Sequence, residues 1–273
     1  MSGHSTSSAT EAGEQDVDLD DFVDELLNFS RTKRFQRKGK LPISALTLDQ
    51  AYEVQSRLVR RHIRRGKRAA GYKVGCTSRA IREQFRLSEP VTARLLHPHV
   101  YIGNTRLSWE DYVGCAVEAE LVFGIGRDVT TPFRDREEAR AAIDFVSPGI
   151  EVHNRHFLYG EPTTQELIAG NGIHAGLVVG DRKTQADDLD LEMEGVGLFL
   201  DGELKASGIS AETMGSPLSS LVWLAQKLIA RGEILRAGDL VIPGAPVKLV
   251  DVPRGSVVRS CFTNCGEVQA DFL

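Results

Sequence analysis

The apolar positions first recur at helical spacing. Phe22, Val23, Leu26, Leu27 and Phe29 follow Leu19 in a three-and-four pattern that predicts an amphipathic helix. A second helix is predicted from Thr47, which can cap it together with Gln50, through Ala51, Val54, Leu58 and Ile63 to a stop at Gly66. Beyond this pair the period shortens to two. The runs AGYKVG, EDYVGCAVEAELVFGIG, PGIEVH, GIHAGLVVG, GVGLFLDGELKASG, DLVIPG and GSVVRSCF read as strands, so most of the chain is expected to be sheet. Asp201-Gly202 predicts a tight type I′ hairpin, and further helices are expected at about 135 to 146 and at 216 to 232, the last ended by Gly232. Residues 1 to 16, rich in Ser, Thr, Gly and Glu, carry no apolar period and read as a disordered tail. The expected organisation is that tail, a helical N-terminal region over 17–70 and a sheet-rich catalytic domain over 71–273.

One strand poses a chemical question. In VEAELVF, period two puts Val117, Ala119, Leu121 and Phe123 on one face and Glu118 and Glu120 on the other. Two carboxylates at i and i+2 have Cβ atoms roughly 7 Å apart, and at about 5 Å with an effective dielectric near 20 their charges repel by about 3 kcal/mol. That is tolerable on a wet face, with one group protonated, or with a cation between them. The surrounding run, from Val113 and Cys115 to Ile125, is apolar enough to suggest a strand covered on both sides, which disfavours water. Glu151, in the next short apolar strand, would add a third carboxylate. Three such groups on adjacent strands form an oxygen-rich site for a hard divalent ion, Mg²⁺ or Mn²⁺.

Composition narrows the function further. With 273 residues, 41% of them hydrophobic, the chain can bury a large core. A net charge of −5 with interspersed signs offers no basic field for nucleic acid or an anionic membrane. Apolar runs fall far short of the ~18–20 residues of a membrane helix, and the first residues lack a secretory pattern, so a cytoplasmic location is expected. Cys76, Cys115, Cys261 and Cys265 have no metal-finger spacing and read as free thiols. Gly124-Ile125-Gly126 is a lone GxG without a βαβ unit around it, which argues against a dinucleotide site.

At VEAELVFGIGRDV, with the acid of PGIEVHN, the chain resembles the metal-site motif of the fumarylacetoacetase superfamily. The likeness is to its branch of 2-keto-4-pentenoate hydratases and 4-oxalocrotonate decarboxylases. GYKVGCTS at 71–78 and GSPLSSLVWLAQKLIARGEILRAGDLVIPG at 215–244 resemble two further blocks of that branch. The resemblance implies an α/β (α+β) fold, a rolled mixed β-sheet with flanking helices behind a small helical N-terminal region, and a homo-oligomer. It implies a metal held by Glu118, Glu120 and Glu151, with the family lysine at Lys73. Lys73 could lose its proton through desolvation and shuttle it, or stay charged and hold a substrate carboxylate.

Several ligand-facing positions depart from the family pattern. Asn154, Arg155 and His156 replace an Asp-Ser-Arg stretch, and Gly170 to His174 replace Asp-Asn-Ala-Ser-Ser, keeping only Asn171. Gly244 matches a family glycine, but Pro246 stands where a hydroxyl is usual, with Lys248 close behind. The candidate site is therefore Lys73 and His174 as catalytic groups, with Lys73, Asn171, Gly244 and Lys248 contacting substrate. His153 and His156 read more readily as packed or hydrogen-bonded, and His97 and His99 as loop residues.

The expected activity is a hydratase acting on a 2-hydroxy-2,4-dienoate, with a small-molecule 2-oxo or 2-hydroxydienoic acid as partner and neither nucleic acid nor membrane. The alternatives are a decarboxylase of 2-oxo-3-hexenedioate, an acylpyruvase-type hydrolase and a non-catalytic partner subunit. The hydrolase is disfavoured because no H-x-x-E spacing occurs in the chain.

Overall fold

The computed structural model describes residues 18–35, 41–156 and 161–273, so the tail expected at 1–16 lies outside the described residues. The first predicted helix is α1 (Leu19–Thr32), capped by Asp18 and closed by Lys33 in the left-handed region. The second is α2 (Leu48–Arg64), where the capping box forms in full. Gln50 N–H donates to Thr47 Oγ1 at 3.2 Å, and Thr47 N–H donates to Gln50 Oε1 at 2.9 Å.

Two sheets follow. The larger orders β2 (Val91–His97), β1 (Arg68–Gly75), β10 (Leu240–Ile242), β5 (Cys115–Ile125), β6 (Ile143–Asn154), β7 (His174–Val179) and β3 (Val100–Ile102), with β11 (Val250–Asp251) also on β5. The smaller orders β4 (Thr105–Leu107), β13 (Gly266–Phe272), β12 (Val257–Phe262), β8 (Gly195–Leu200) and β9 (Glu203–Ile209). Short helices α3 (Arg79–Gln84), α4 (Arg136–Arg140) and α5 (Thr164–Ala169) sit in connections, and α6 (Pro217–Ala230) packs into the main core. The result is a curled mixed sheet with flanking helices, an α/β fold. No helix among the described residues is long and apolar enough to cross a membrane.

The predicted helix over 135–146 is corrected. Only Arg136–Arg140 is helical, and from Ile143 the chain is strand β6. Val146 lies opposite Phe123 and Ser147 opposite Val122, so the long β5–β6 ladder overrides the local helical pattern. The hairpin at Asp201-Gly202 has the expected turn, with both residues at positive φ, 52° and 82°.

The two faces of the curled sheet do different work. Val117, Ala119, Leu121 and Phe123 enter the main core with Ile150 and Val152 of β6, whereas Val122 joins a second cluster with Leu95, Leu177 and Ile242. Glu118 and Glu120 share Val122's side of the strand by the two-residue period. A third cluster joins α1 and α2 to α5 and to Val91 of β2. Gln55 of α2 ties these layers by donating to the Thr92 carbonyl at 3.0 Å and the Ile168 carbonyl at 2.8 Å.

Gly71 allows β1 to sit this close to β10. Its φ is +141°, and a Cβ built there would lie 1.8 Å from the Leu240 carbonyl oxygen. Gly71→Ala must therefore break the parallel β1–β10 pairing, and the expected cost exceeds about 3 kcal/mol. A urea titration showing a loss under ~1 kcal/mol would contradict this packing.

Candidate active site

The register of β5 and β6 sets Glu118 directly opposite Glu151, and the period-two neighbours Glu120 and His153 extend the same face. One carboxylate oxygen from each of Glu118 and Glu151 and one ring nitrogen of His153 lie within 4.8 Å of one another. His153 Nε2 is 3.1 Å from Glu118 Oε2. Glu151 is wholly buried and Glu118 keeps partial exposure on the cavity side. Lys73 arrives from β1, its ammonium donating to Glu151 Oε1 at 2.5 Å and to the Gly172 carbonyl at 3.3 Å.

These groups line a cavity of about 550 Å³, closed by residues 75–78, the segment 245–249 and α5 through Leu167. Cys76 also lines it, but burial pushes its thiol up to about 11, so it is not a nucleophile at neutral pH.

The charge arrangement follows from burial. Burial alone opposes the ionised form of Glu151, yet the charges of His153 and Lys73 and the His174 hydrogen bond outweigh it and hold the carboxyl below its ordinary range. Burial likewise works against the Lys73 ammonium, but Glu151, Glu118 and Glu120 together raise it above its ordinary value. Of the two sequence readings of Lys73, the charged one fits this direction. Glu120 goes the other way: burial, then the Glu151 and Glu118 charges, push it well above the carboxylate range, offset in part by Lys73 and the Gly244 N–H.

Of the expected metal set, Glu118 and Glu151 converge directly. Glu120 lines the same cavity, but its Oε2 accepts the Gly244 N–H at 3.1 Å. Gly244, expected to contact substrate, thus holds Glu120, and it is not among the residues that line the cavity. It has a φ of +121°, and a Cβ there would meet the Thr77 side chain at 2.4 Å.

Asn171, also expected to contact substrate, bonds to backbone. Its side-chain amide is engaged on both ends by the Arg94 backbone, accepting from N–H at 2.8 Å and donating to the carbonyl at 2.9 Å. It acts as a clasp between β2 and the turn before β7. His174 sits behind the site, its Nδ1 on Glu151 Oε1 at 2.7 Å, so it orients that carboxylate from outside the cavity. Lys248 does line the cavity and is exposed. Arg155 lines it too, paired with Glu161 at 2.8 Å and Asp251 at 2.9 Å.

His153, read from sequence as packed or hydrogen-bonded, is both, and it also joins the carboxylate cluster. The period-two argument that paired Glu118 with Glu120 also pairs Glu151 with His153, and that spacing was the available signal.

The donor set suits a divalent ion. Glu151 Oε2 and His153 Nδ1 are buried without a hydrogen-bond partner among the described residues, and Oε2 lies 3.4 Å from His153 Nε2. An ion taking up Oε2 would relieve an otherwise costly buried acceptor. Because burial and the neighbouring carboxylates favour the protonated form of Glu120, against which a cation would compete, metal affinity is expected to rise with pH and to fall on the acid side. Glu151, held ionised, adds no such dependence near neutrality. Calorimetry of Mn²⁺ binding between pH 5.5 and 8.5 checks this. A flat profile would mean that Glu120 does not exchange its proton for metal.

Known proteins share this architecture. The sequence profile described as Fumarylacetoacetate (FAA) hydrolase C-terminal matches residues 78–273. A 2-keto-4-pentenoate hydratase of Paraburkholderia xenovorans (strain LB400) is 30% identical over 227 residues, covering 83% of this chain and 84% of the relative. A 4-oxalocrotonate decarboxylase of Pseudomonas sp is 31% identical over 227 residues, covering 82% and 86% respectively. Among solved structures, the 4-oxalocrotonate decarboxylase from Pseudomonas putida G7 complexed with magnesium and adipate superposes with a TM-score of 0.86 at 26% identity, covering 92% of this chain and 96% of that one. With its paired glutamates on β5, the facing acid on β6 and the buried lysine on β1, the chain belongs to the fumarylacetoacetate hydrolase family, in the branch of the 2-keto-4-pentenoate hydratases and 4-oxalocrotonate decarboxylases.

Proposed function

We propose that this protein is a divalent-metal-dependent hydro-lyase that adds water to a 2-hydroxy-2,4-dienoate and yields a 4-hydroxy-2-oxo acid. The observation that carries the reading is the convergence of Glu118, Glu151 and His153 beside a charged, buried Lys73 in one cavity. We assign the metal to Glu118, Glu151 and His153, with Glu120 completing the set once deprotonated. Mg²⁺ and Mn²⁺ both fit carboxylates, and the His153 nitrogen favours Mn²⁺. A bound ion would supply positive charge for the enolate through which a 2-oxo acid reacts.

The chain's own groups account for the remainder. Lys73, whose carboxylate neighbours favour its protonated form, is suited to hold a substrate carboxylate or to deliver a proton to carbon. His174 holds Glu151 in place from behind, and the Gly244 N–H does the same for Glu120. In the overall change, the proton of the C2 hydroxyl passes to C5, giving a conjugated 2-oxo acid. Water then adds as hydroxide at C4 and a proton at C3.

Lys248 favours a second reading, a substrate with a further carboxylate. It lines the cavity and has no ion-pair partner among the described residues, whereas Arg155 is already neutralised by two acids. This admits 2-oxo-3-hexenedioate and hence decarboxylation on the same scaffold. Our proposal extends to a cytoplasmic homo-oligomer with its chemistry in residues 71–273. Purified protein incubated with 2-hydroxypenta-2,4-dienoate and, separately, with 2-oxo-3-hexenedioate decides between the two reactions. Loss of diene absorbance without gas supports hydration, CO₂ release supports decarboxylation, and turnover of neither would sink both.

A further inference from the structure

Between α5 and β7 the chain takes a turn that most sequences avoid. Asn171, Gly172 and Ile173 all lie in the left-handed region, with φ of 58°, 67° and 53°. Glycine accepts that conformation freely and asparagine tolerates it, but for a β-branched residue such as Ile173 it is strained. Strain of this kind persists only where the surroundings over-determine it. Here they do so from two sides. The Asn171 amide grips the Arg94 backbone of the edge strand β2 at 2.8 and 2.9 Å, and Ile173 packs against the apolar cluster of α1, α2 and α5.

What the turn delivers is a carbonyl. The Lys73 ammonium donates to Glu151 Oε1 at 2.5 Å and to the Gly172 carbonyl at 3.3 Å. The bare Cα of Gly172 also seats the lysine stem, because a Cβ built there would lie 3.4 Å from Lys73 Cε and 3.2 Å from Ala93 Cβ.

We propose that Asn171 is a positioning residue for Lys73: its clasp on β2 holds the left-handed turn, the Gly172 carbonyl then fixes the direction of the ammonium, and one N–H is left over for substrate.

The proposal rests on the substrate-handling role given to Lys73 above. An ammonium has three N–H donors on a flexible stem. A single acceptor, Glu151, lets the head swing about the N–H···O axis, whereas a second acceptor on a different element stops it. Glu151 and Gly172 take one N–H each, and no third acceptor is present among the described residues, so the last N–H is available to the cavity that Lys73 lines. With the clasp gone, nothing on β2 holds residues 171–173 against relaxation to a right-handed turn. The Gly172 carbonyl would then leave Lys73, and the ammonium would answer to Glu151 alone.

The test is a double-mutant cycle between Asn171→Gly and Lys73→Met, on whichever of the two substrates the wild-type protein turns over, run beside a spectrum that needs no turnover. Glycine keeps the left-handed conformation accessible and removes the clasp. In the wild-type background Asn171→Gly is expected to lower kcat/KM by about 10–100-fold, the scale of a misplaced reacting group. In the Lys73→Met background the same change is expected to cost under about 2-fold, because its effect runs through a group no longer there. A merely structural asparagine would cost the same in both. The Mg²⁺ affinity of Asn171→Gly is expected to stay at the wild-type level, since Glu118, Glu151 and His153 lie on β5 and β6, and this also shows that the variant folds. In Mg²⁺-loaded protein labelled with lysine carrying ¹³C at Cε, the Lys73 signal is identified by its loss in Lys73→Met. It is expected to shift in Asn171→Gly while the other lysine signals stay. Equal losses in the two backgrounds, an unmoved Lys73 signal or a fall in metal affinity would each overturn the proposal, the last because the turn would then act on Glu151 through His174. A wild-type protein that turns over neither substrate would sink the proposed reaction, and the Lys73 signal would then decide the positioning by itself.

Discussion

Glu151→Gln is expected to abolish tight divalent-metal binding and to lower kcat/KM by at least about 10³-fold. The carboxylate sits at the junction of every group in the site: Oε1 accepts from Lys73 at 2.5 Å and contacts His174 Nδ1 at 2.7 Å, and Oε2 has no hydrogen-bond partner among the described residues, with His153 Nε2 3.4 Å away. The amide keeps an acceptor for Lys73 but loses the charge that would hold a cation. Charge stabilisation by a metal is worth several kcal/mol, and each ~1.4 kcal/mol is tenfold in rate, so the three-decade figure is a lower bound. The substitution also removes one partner of a buried ion pair, so a drop in thermal stability is expected alongside. Metal affinity and melting temperature must be measured together. A variant that folds and still binds Mn²⁺ with wild-type affinity would show that the ion sits elsewhere.

Lys73→Met should separate what Glu151→Gln cannot. Methionine fills the volume of the lysine stem in a position that is 4% exposed, so packing is largely kept. Removal of the ammonium frees Glu151 Oε1 from a competing cation, so metal affinity is expected to hold or to tighten. Activity is expected to fall by about 10²–10⁴-fold, the usual range for loss of a positioned proton donor. These opposite directions are the signature of a substrate-handling lysine. If metal affinity and activity fell together, Lys73 would be a structural counter-charge for the site. If neither changed, it would have no part in the reaction.

The local devices of the fold were legible in the sequence because each is written within a few residues. The Thr47–Gln50 capping box, the Asp201-Gly202 turn and the alternating faces of β5 all occur as read. The site was legible as far as period two and a neighbouring strand could carry it, which brought Glu118 to Glu151. What the sequence hid depends on pairing between distant segments. Residues 141–146 have a helical pattern, yet the partner ladder of β5 makes most of them strand. Nothing near Gly244 says that its N–H will hold Glu120, 124 positions away. The sequence reads Asn171 as a substrate contact and His174 as a catalytic group, and the turn before β7 directs one to the Arg94 backbone and the other to Glu151 Oε1. That turn has three consecutive residues at positive φ, Asn171, Gly172 and Ile173, a conformation no local pattern suggests for isoleucine.

Two histidines bear on the carboxylate cluster in different ways. His153 brings a nitrogen donor into the carboxylate cluster and bears on which ion binds. His174 lines a second cavity and bonds Glu151 from that side through Nδ1 at 2.7 Å. Neither disturbs the alignment of Lys73, Glu118 and Glu151, on which the proposed reaction rests.

The central claim is metal-dependent addition of water at C4, and its most direct measurement is oxygen-18 incorporation. The protein is incubated with 2-hydroxypenta-2,4-dienoate in H₂¹⁸O, once with Mn²⁺ and once after chelation with EDTA, and the C4 hydroxyl of the product is analysed by mass spectrometry. The account predicts one labelled oxygen at C4 with metal, and no product above the uncatalysed background after chelation. Equal labelled product in both samples, or none in either, would contradict it.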